Sequence, residues 1–116
     1  MSGDLVIENL GMEPSVRQQL IDEVEIILNF AASVDFQEPI HEAIQVNYYG
    51  ASRMLDLARE CKRNEILLHV STAYVNAHQP EFTPISEKLY PFREDWEQYL
   101  KEIEEMSPQN AEENID

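Results

Sequence analysis

Glycine is scarce in this chain, with three residues in 116, and neither GxGxxG nor GxxGxxG occurs anywhere. A Gly-rich turn that cradles a pyrophosphate is therefore not encoded here. Cysteine is scarcer still. Cys61 stands alone, which excludes an intrachain disulfide and any Cys-based metal cluster. In a helical stretch one thiol reads as a core residue. Basic residues number 8 against 23 acids, for a net charge of −15. Phosphate backbones need a basic footprint, so nucleic acid is excluded as a partner. Charge-driven adhesion to an anionic membrane is excluded on the same ground. His41, His69 and His78 show no metal-ligand spacing, so no metal is expected. No apolar run approaches the roughly 20 residues that span a bilayer. No signal-peptide core follows Met1. Neither a membrane segment nor a secretory leader is expected in this chain.

What is present suits one small globular domain, since 43% of the residues are hydrophobic. Gly3-Asp4 reads as a turn ahead of Leu5, Val6 and Ile7. Pro14–Glu23 has a proline suited to a first helical turn and one apolar face of Val16, Leu20 and Ile21, so it predicts a short amphipathic helix. Val24–Phe30 is a short β-rich run and predicts a buried strand. From Pro39 to Arg63, Ile40, Ile44, Ala51, Met54, Ala58 and Cys61 recur at helical spacing, which predicts one long helix. Asn47 interrupts its apolar face. A buried amide needs partners, so it either stitches the helix to a neighbouring backbone or reaches a site. Gly50 permits close helix packing. Ile66–Val70 predicts a second buried strand. Strand, helix, strand is one βαβ unit with parallel strands, and two nearly continuous apolar runs imply that both sheet faces are covered.

Chemistry is expected where the strands end. Ile66–Val70 gives way abruptly to Ser71-Thr72-Ala73-Tyr74, and ligands of parallel α/β sheets bind outside the carboxyl ends of the strands. Ser71 and Thr72 are either site hydroxyls or caps of the next turn. The first strand ends in Ala31-Ala32-Ser33, which either lets a flat ligand approach the backbone or simply packs tightly. Pro80, Pro84 and Pro91 then mark irregular loop. A helix is expected near Arg93–Met106, followed by an acidic stretch, SPQNAEENID, expected to be a disordered, solvated tail.

GDLVIENLGM, EVEIILNFAASVDFQEPIHEAIQVNYYG and LHVSTAYVNAHQP, in this order and spacing, resemble the fatty acyl-CoA reductases of the extended short-chain dehydrogenase/reductase superfamily. The resemblance covers about Gly3–Pro91, and the pair AASVDFQEP and HVSTAYVN is its most specific part. It implies an α/β, partial Rossmann-like fold with parallel strands, lacking its N- and C-terminal parts. Residues 1–91 would be a partial NADP-binding domain and 92–116 an acidic helix and tail. It implies NADPH as cofactor and a long-chain fatty acyl-CoA as substrate, reduced to a fatty alcohol through an aldehyde. By position, Thr72 matches the hydroxyl residue that orients the carbonyl, with Ser71 the near alternative. Asp4 and Leu5 match the place where adenine is recognised. Ala31 and Ala32 match the small residues that pass under the cofactor, and Asn47 the helix asparagine near the nicotinamide.

This chain departs from the family pattern in two places. The phosphate-binding turn with its strand and helix is missing, and so is the Tyr-x-x-x-Lys pair, since Tyr99 has Ile103 four residues on. A middle piece of a reductase is therefore expected, inactive alone. Its full-length parent would associate with the peroxisomal or endoplasmic reticulum membrane. The alternative is a catalytically inactive, truncated reductase-like protein that binds a partner through an exposed sheet edge.

Overall fold

The structure is a computed structural model that describes residues 2–35, 37–91 and 95–113. It opens on a tight turn, Glu8–Gly11, in which Asn9, Leu10 and Gly11 all take left-handed φ, 53°, 60° and 59°. For a leucine that conformation costs about 1–2 kcal/mol. Burial of the Leu10 side chain, only 3% exposed, offsets it. Helix α1 (Pro14–Glu23) has the predicted bounds, with Pro14 in its first turn where no N–H is needed.

Strands β1 (Ile26–Asn29) and β2 (Ile66–His69) pair in parallel, in the register Ile26↔Ile66 to Asn29↔His69. The ladder runs on past both ends, through Glu65 N to Glu25 O (2.8 Å) and Val70 N to Asn29 O (3.0 Å). This is the parallel βαβ arrangement expected of a partial Rossmann-like domain. The expectation that both faces are covered fails. Ile27 packs on Leu57, Ala58 and Cys61, with Leu67 beside them. The opposite face stays open, with Ile26 and Leu28 each 57% exposed, Ile66 51% and Leu68 44%. The reason is that both α1 and the crossover helix contribute to a single cluster around Ile27, so the other face meets no helix among the described residues.

The crossover helix is continuous from Ile40 to Glu60, built of α2 (Ile40–Ala43), a π-helical segment (Ile44–Tyr49) and α3 (Gly50–Glu60). It ends before Arg63 because Cys61 is already extended. Glycine suits position 50, because a Cβ there would meet Leu5 Cβ at 3.1 Å, a tight contact. Arg53 ties the same contact by donating to the Leu5 carbonyl at 2.7 Å.

Helix α4 spans Trp96–Glu105, and Arg93 and Glu94 of the anticipated helix lie outside the described residues. The stretch expected to be disordered contains a further helix, α5 (Pro108–Glu113). Ala111 on it is fully buried against Ile44 and Ile103. Part of the acidic run is structural rather than merely solvated. Glu112 Oε1 accepts the Ile40 N–H at 2.6 Å, satisfying an orphan donor at the start of the crossover helix. A hydrogen bond to Glu104 raises the pKa of the Tyr49 phenol. His41 Nε2 donates to the Ile103 carbonyl at 2.9 Å.

Arg17 joins α1 to α3 through a two-pronged contact with Glu60, at 2.6 and 2.9 Å. That hydrogen bonding holds the Glu60 carboxyl below the usual carboxylate range. A depressed folded-state pKa contributes stability that is present above the unfolded value of about 4.3 and is lost as pH falls through the folded one. The urea midpoint of the wild type, measured in dilute solution, is therefore expected to exceed that of Glu60→Gln at pH 7. The two should converge under acid. A constant gap across the acid range would show that the ion pair contributes nothing.

Candidate functional site

A cleft of about 640 Å3 opens at the carboxyl edge of the sheet. Ala31, Ala32 and Ser33 enter it from the end of β1, and Val70, Ser71 and Thr72 from the end of β2. Asn47 enters from the crossover helix between them. Phe30, Val34 and Tyr74 supply apolar lining, and Asp35 and His69 polar lining. Parallel pairing is what makes this possible, since only parallel strands bring both strand ends to one edge. Five residues singled out from sequence thus share one cleft: Ala31, Ala32, Asn47, Ser71 and Thr72. Asp4 and Leu5 do not line it. Asp4 turns its carboxylate back to accept the Val6 N–H at 3.0 Å, and Leu5 packs on Gly50.

Thr72 and Asn47 have defined partners. Thr72 Oγ1 accepts the Tyr74 N–H at 3.1 Å, so Thr72 does cap the following turn. Capping uses a lone pair, and the hydroxyl proton remains to donate. The two readings of this residue are therefore compatible. Asn47 is exposed rather than buried, correcting the expectation for it. Its Oδ1 accepts the Ser33 N–H at 2.9 Å, which ties the helix to the backbone beyond β1. That bond fixes the amide orientation and turns Nδ2, a donor, toward other partners. Asn47 lies within the π-helical segment, a feature frequent at functional sites.

Sequence reasoning missed Asn29 and His69. Asn29 is the buried polar residue of the described core, 4% exposed. Its Oδ1 accepts the Ala31 N–H at 3.3 Å, so its Nδ2 faces His69 Nδ1 at 3.1 Å. The histidine must then accept at Nδ1 and carry its proton on Nε2. The pair staples the two strand ends and leaves an imidazole N–H donor beside the cleft. The signal was present: a polar residue closing each apolar run, in what becomes the same register. Cys61 takes no part. Burial pushes its thiol pKa up, and its sulfur lies 3.6 Å from the Leu20 carbonyl oxygen.

Comparison with known proteins agrees with this geometry. The NAD-binding family described as male sterility protein matches residues 1–114. A putative fatty acyl-CoA reductase of Drosophila melanogaster is 40% identical over 101 residues, 87% of this chain and 19% of the relative. Fatty acyl-CoA reductase 1 of Arabidopsis thaliana is 39% identical over 79 residues, covering 67% and 16%. The alcohol-forming fatty acyl-CoA reductase of Simmondsia chinensis is 33% identical over 78 residues, covering 66% and 16%. The chain thus spans a fifth or less of the length of these relatives. With a parallel βαβ unit, a cleft at its carboxyl edge and an NAD-binding domain matched along nearly its whole length, this chain belongs to the fatty acyl-CoA reductase family.

Proposed function

We propose that this chain is the segment of an NADPH-dependent fatty acyl-CoA reductase that orients the substrate carbonyl and seats the nicotinamide end of the cofactor. Long-chain acyl-CoA is reduced to an aldehyde with release of CoA thiol, and the aldehyde to a fatty alcohol. The observation that carries the reading is the convergence of Thr72, Ala31, Ala32 and Asn47 on one cleft at the carboxyl edge of a parallel sheet.

The residues fit a flat ligand. Ala31 and Ala32 are exposed at the cleft and extend no side chain beyond Cβ, so a planar ring can lie against the backbone. Asn47 Nδ2 is a donor for its polar edge. A reduced nicotinamide held there by Ala31, Ala32 and Asn47 would supply the hydride for carbonyl reduction. Thr72 supplies what the chain itself can add, an O–H donor aimed at the oxygen on which negative charge develops. Ser71 is the adjacent alternative. Asp4 and Leu5 would contact the adenine end, away from the cleft. Among the described residues no helix is long and apolar enough to cross a membrane. Association of a full-length parent with a peroxisomal or endoplasmic reticulum membrane would then depend on other segments. Uncovered strand edges favour the second reading, a non-catalytic chain that binds a partner.

The two are separated by replacing the matching segment of a full-length family reductase with residues 1–114. NADPH oxidation, CoA release and alcohol formation are then measured with palmitoyl-CoA. Turnover with NADPH preferred over NADH and alcohol as product is the expected result. A folded hybrid that releases no CoA would overturn the catalytic reading, and one that stops at the aldehyde would overturn the alcohol assignment.

A further inference from the structure

His69 closes β2 and stands opposite Asn29, which closes β1, in the register of the ladder. Asn29 is buried, so its amide must be satisfied within the chain. Its Oδ1 takes the Ala31 N–H, and its Nδ2 lies 3.1 Å from His69 Nδ1. Nδ1 therefore accepts and Nε2 carries the proton. Nε2 lies across the ring, away from the buried asparagine, and no described residue accepts from it. His69 is exposed and lines the cleft, so this donor is open to whatever occupies the cleft.

The chemistry of the lining limits what that occupant offers. Among the described residues no lysine or arginine lines the cleft, and Asp35 brings a carboxylate to it. Phosphate oxygens are disfavoured beside that charge, whereas an uncharged carbonyl oxygen suits neutral N–H and O–H donors. The proposed ligands bring two such oxygens, that of the nicotinamide carboxamide and that of the carbonyl being reduced. Ala31 decides between them. Hydrogen bonds run from its N–H through Asn29 to the His69 ring, so the imidazole and the backbone under the nicotinamide are held as one unit. Thr72, beyond Ser71 on the same chain segment, is the donor for the other oxygen. A carboxamide oxygen has two lone pairs, so Asn47 Nδ2 and His69 Nε2 can both donate to it.

We propose that His69 is a cofactor-binding residue, donating its Nε2–H to the carboxamide oxygen of the nicotinamide, and that Asn29 is the residue that positions it. This rests on the nicotinamide reading of the cleft.

The first test reads the tautomer in the purified chain. A 15N spectrum of the imidazoles at pH 8 should show His69 protonated at Nε2 and bare at Nδ1. In Asn29→Asp the group facing Nδ1 can only accept, so Nδ1 should become protonated. A wild-type ring protonated at Nδ1, or a ring unmoved by Asn29→Asp, overturns the proposal.

The second test uses the full-length hybrid reductase carrying residues 1–114, with affinity read by titration of NADPH fluorescence rather than by turnover. His69→Ala should weaken NADPH by roughly three- to tenfold, the worth of one neutral hydrogen bond. It should leave the thionicotinamide analogue of NADPH, measured by competition, nearly unchanged, because sulfur is a poor acceptor. His69→Gln keeps an N–H donor and should recover part of the loss. The position is exposed, so an unaltered circular dichroism spectrum controls for folding. Equal weakening of both cofactors would make the role of His69 structural and overturn the proposal. Unchanged NADPH affinity with lowered turnover overturns it in favour of a donor to the substrate carbonyl. A hybrid that shows the expected cofactor pattern but releases no CoA removes the catalytic reading and supports this one. A hybrid that binds no NADPH overturns both.

Discussion

Replacing Thr72 with valine in a full-length reductase carrying this segment is expected to lower turnover by roughly 10²–10³, the usual cost of one lost oxyanion donor. Valine keeps the β-branched shape and removes only the hydroxyl. The Tyr74 N–H that loses its acceptor is at an exposed position and finds water instead, so the turn survives. The KM for NADPH should change little, because in the proposed role the hydroxyl serves the carbonyl and not the cofactor. Asn47→Ala should do the reverse. It removes the bond to Ser33 N, worth about 1 kcal/mol, and the Nδ2 donor, so cofactor affinity falls along with stability. Ser71→Ala is the control for the choice between neighbouring hydroxyls. A crippled Ser71→Ala beside a fully active Thr72→Val would reverse the assignment.

The elements that were legible in the sequence are those whose period and punctuation agree. Pro14 and an apolar stripe define α1, and two short β-rich runs around a helix-periodic stretch define the βαβ unit. From that topology the meeting of Ala31-Ala32 with Ser71-Thr72 follows, because parallel strands end at one edge. What was not legible depends on tertiary partners. The π-helical segment at Asn47 has no marker in residue spacing. Asn47 interrupts an apolar pattern, yet it is exposed, with its amide oxygen taken by the Ser33 N–H beyond β1. The stretch from Pro108 is polar enough to read as tail, yet Ala111 packed on Ile44 and Ile103 and Glu112 bonded to the Ile40 N–H seat a helix there. The Asn29–His69 pair depends on register, which only the paired strands reveal.

The largest effect on association is expected from the open sheet face. Ile26, Leu28, Ile66 and Leu68 form a continuous apolar patch beside uncovered strand edges, an arrangement that invites pairing with another chain. The purified chain is therefore expected to self-associate with rising concentration and to melt broadly. The net charge of −15 opposes this, so added salt should promote it. Leu28→Lys with Leu68→Lys should restore the monomer. Burying a leucine contributes about 1.5–3 kcal/mol, so losing two lowers an association constant by roughly 10²–10⁴. Charge provides the internal check. Two lysines make the chain less negative and on electrostatics alone would increase association, so a fall identifies apolar contact as the cause. Sedimentation velocity over a concentration series reads the outcome. A wild-type chain that stays monomeric and melts sharply at high concentration and high salt would show that the open face is tolerated in water. The exposed strands would then carry no association.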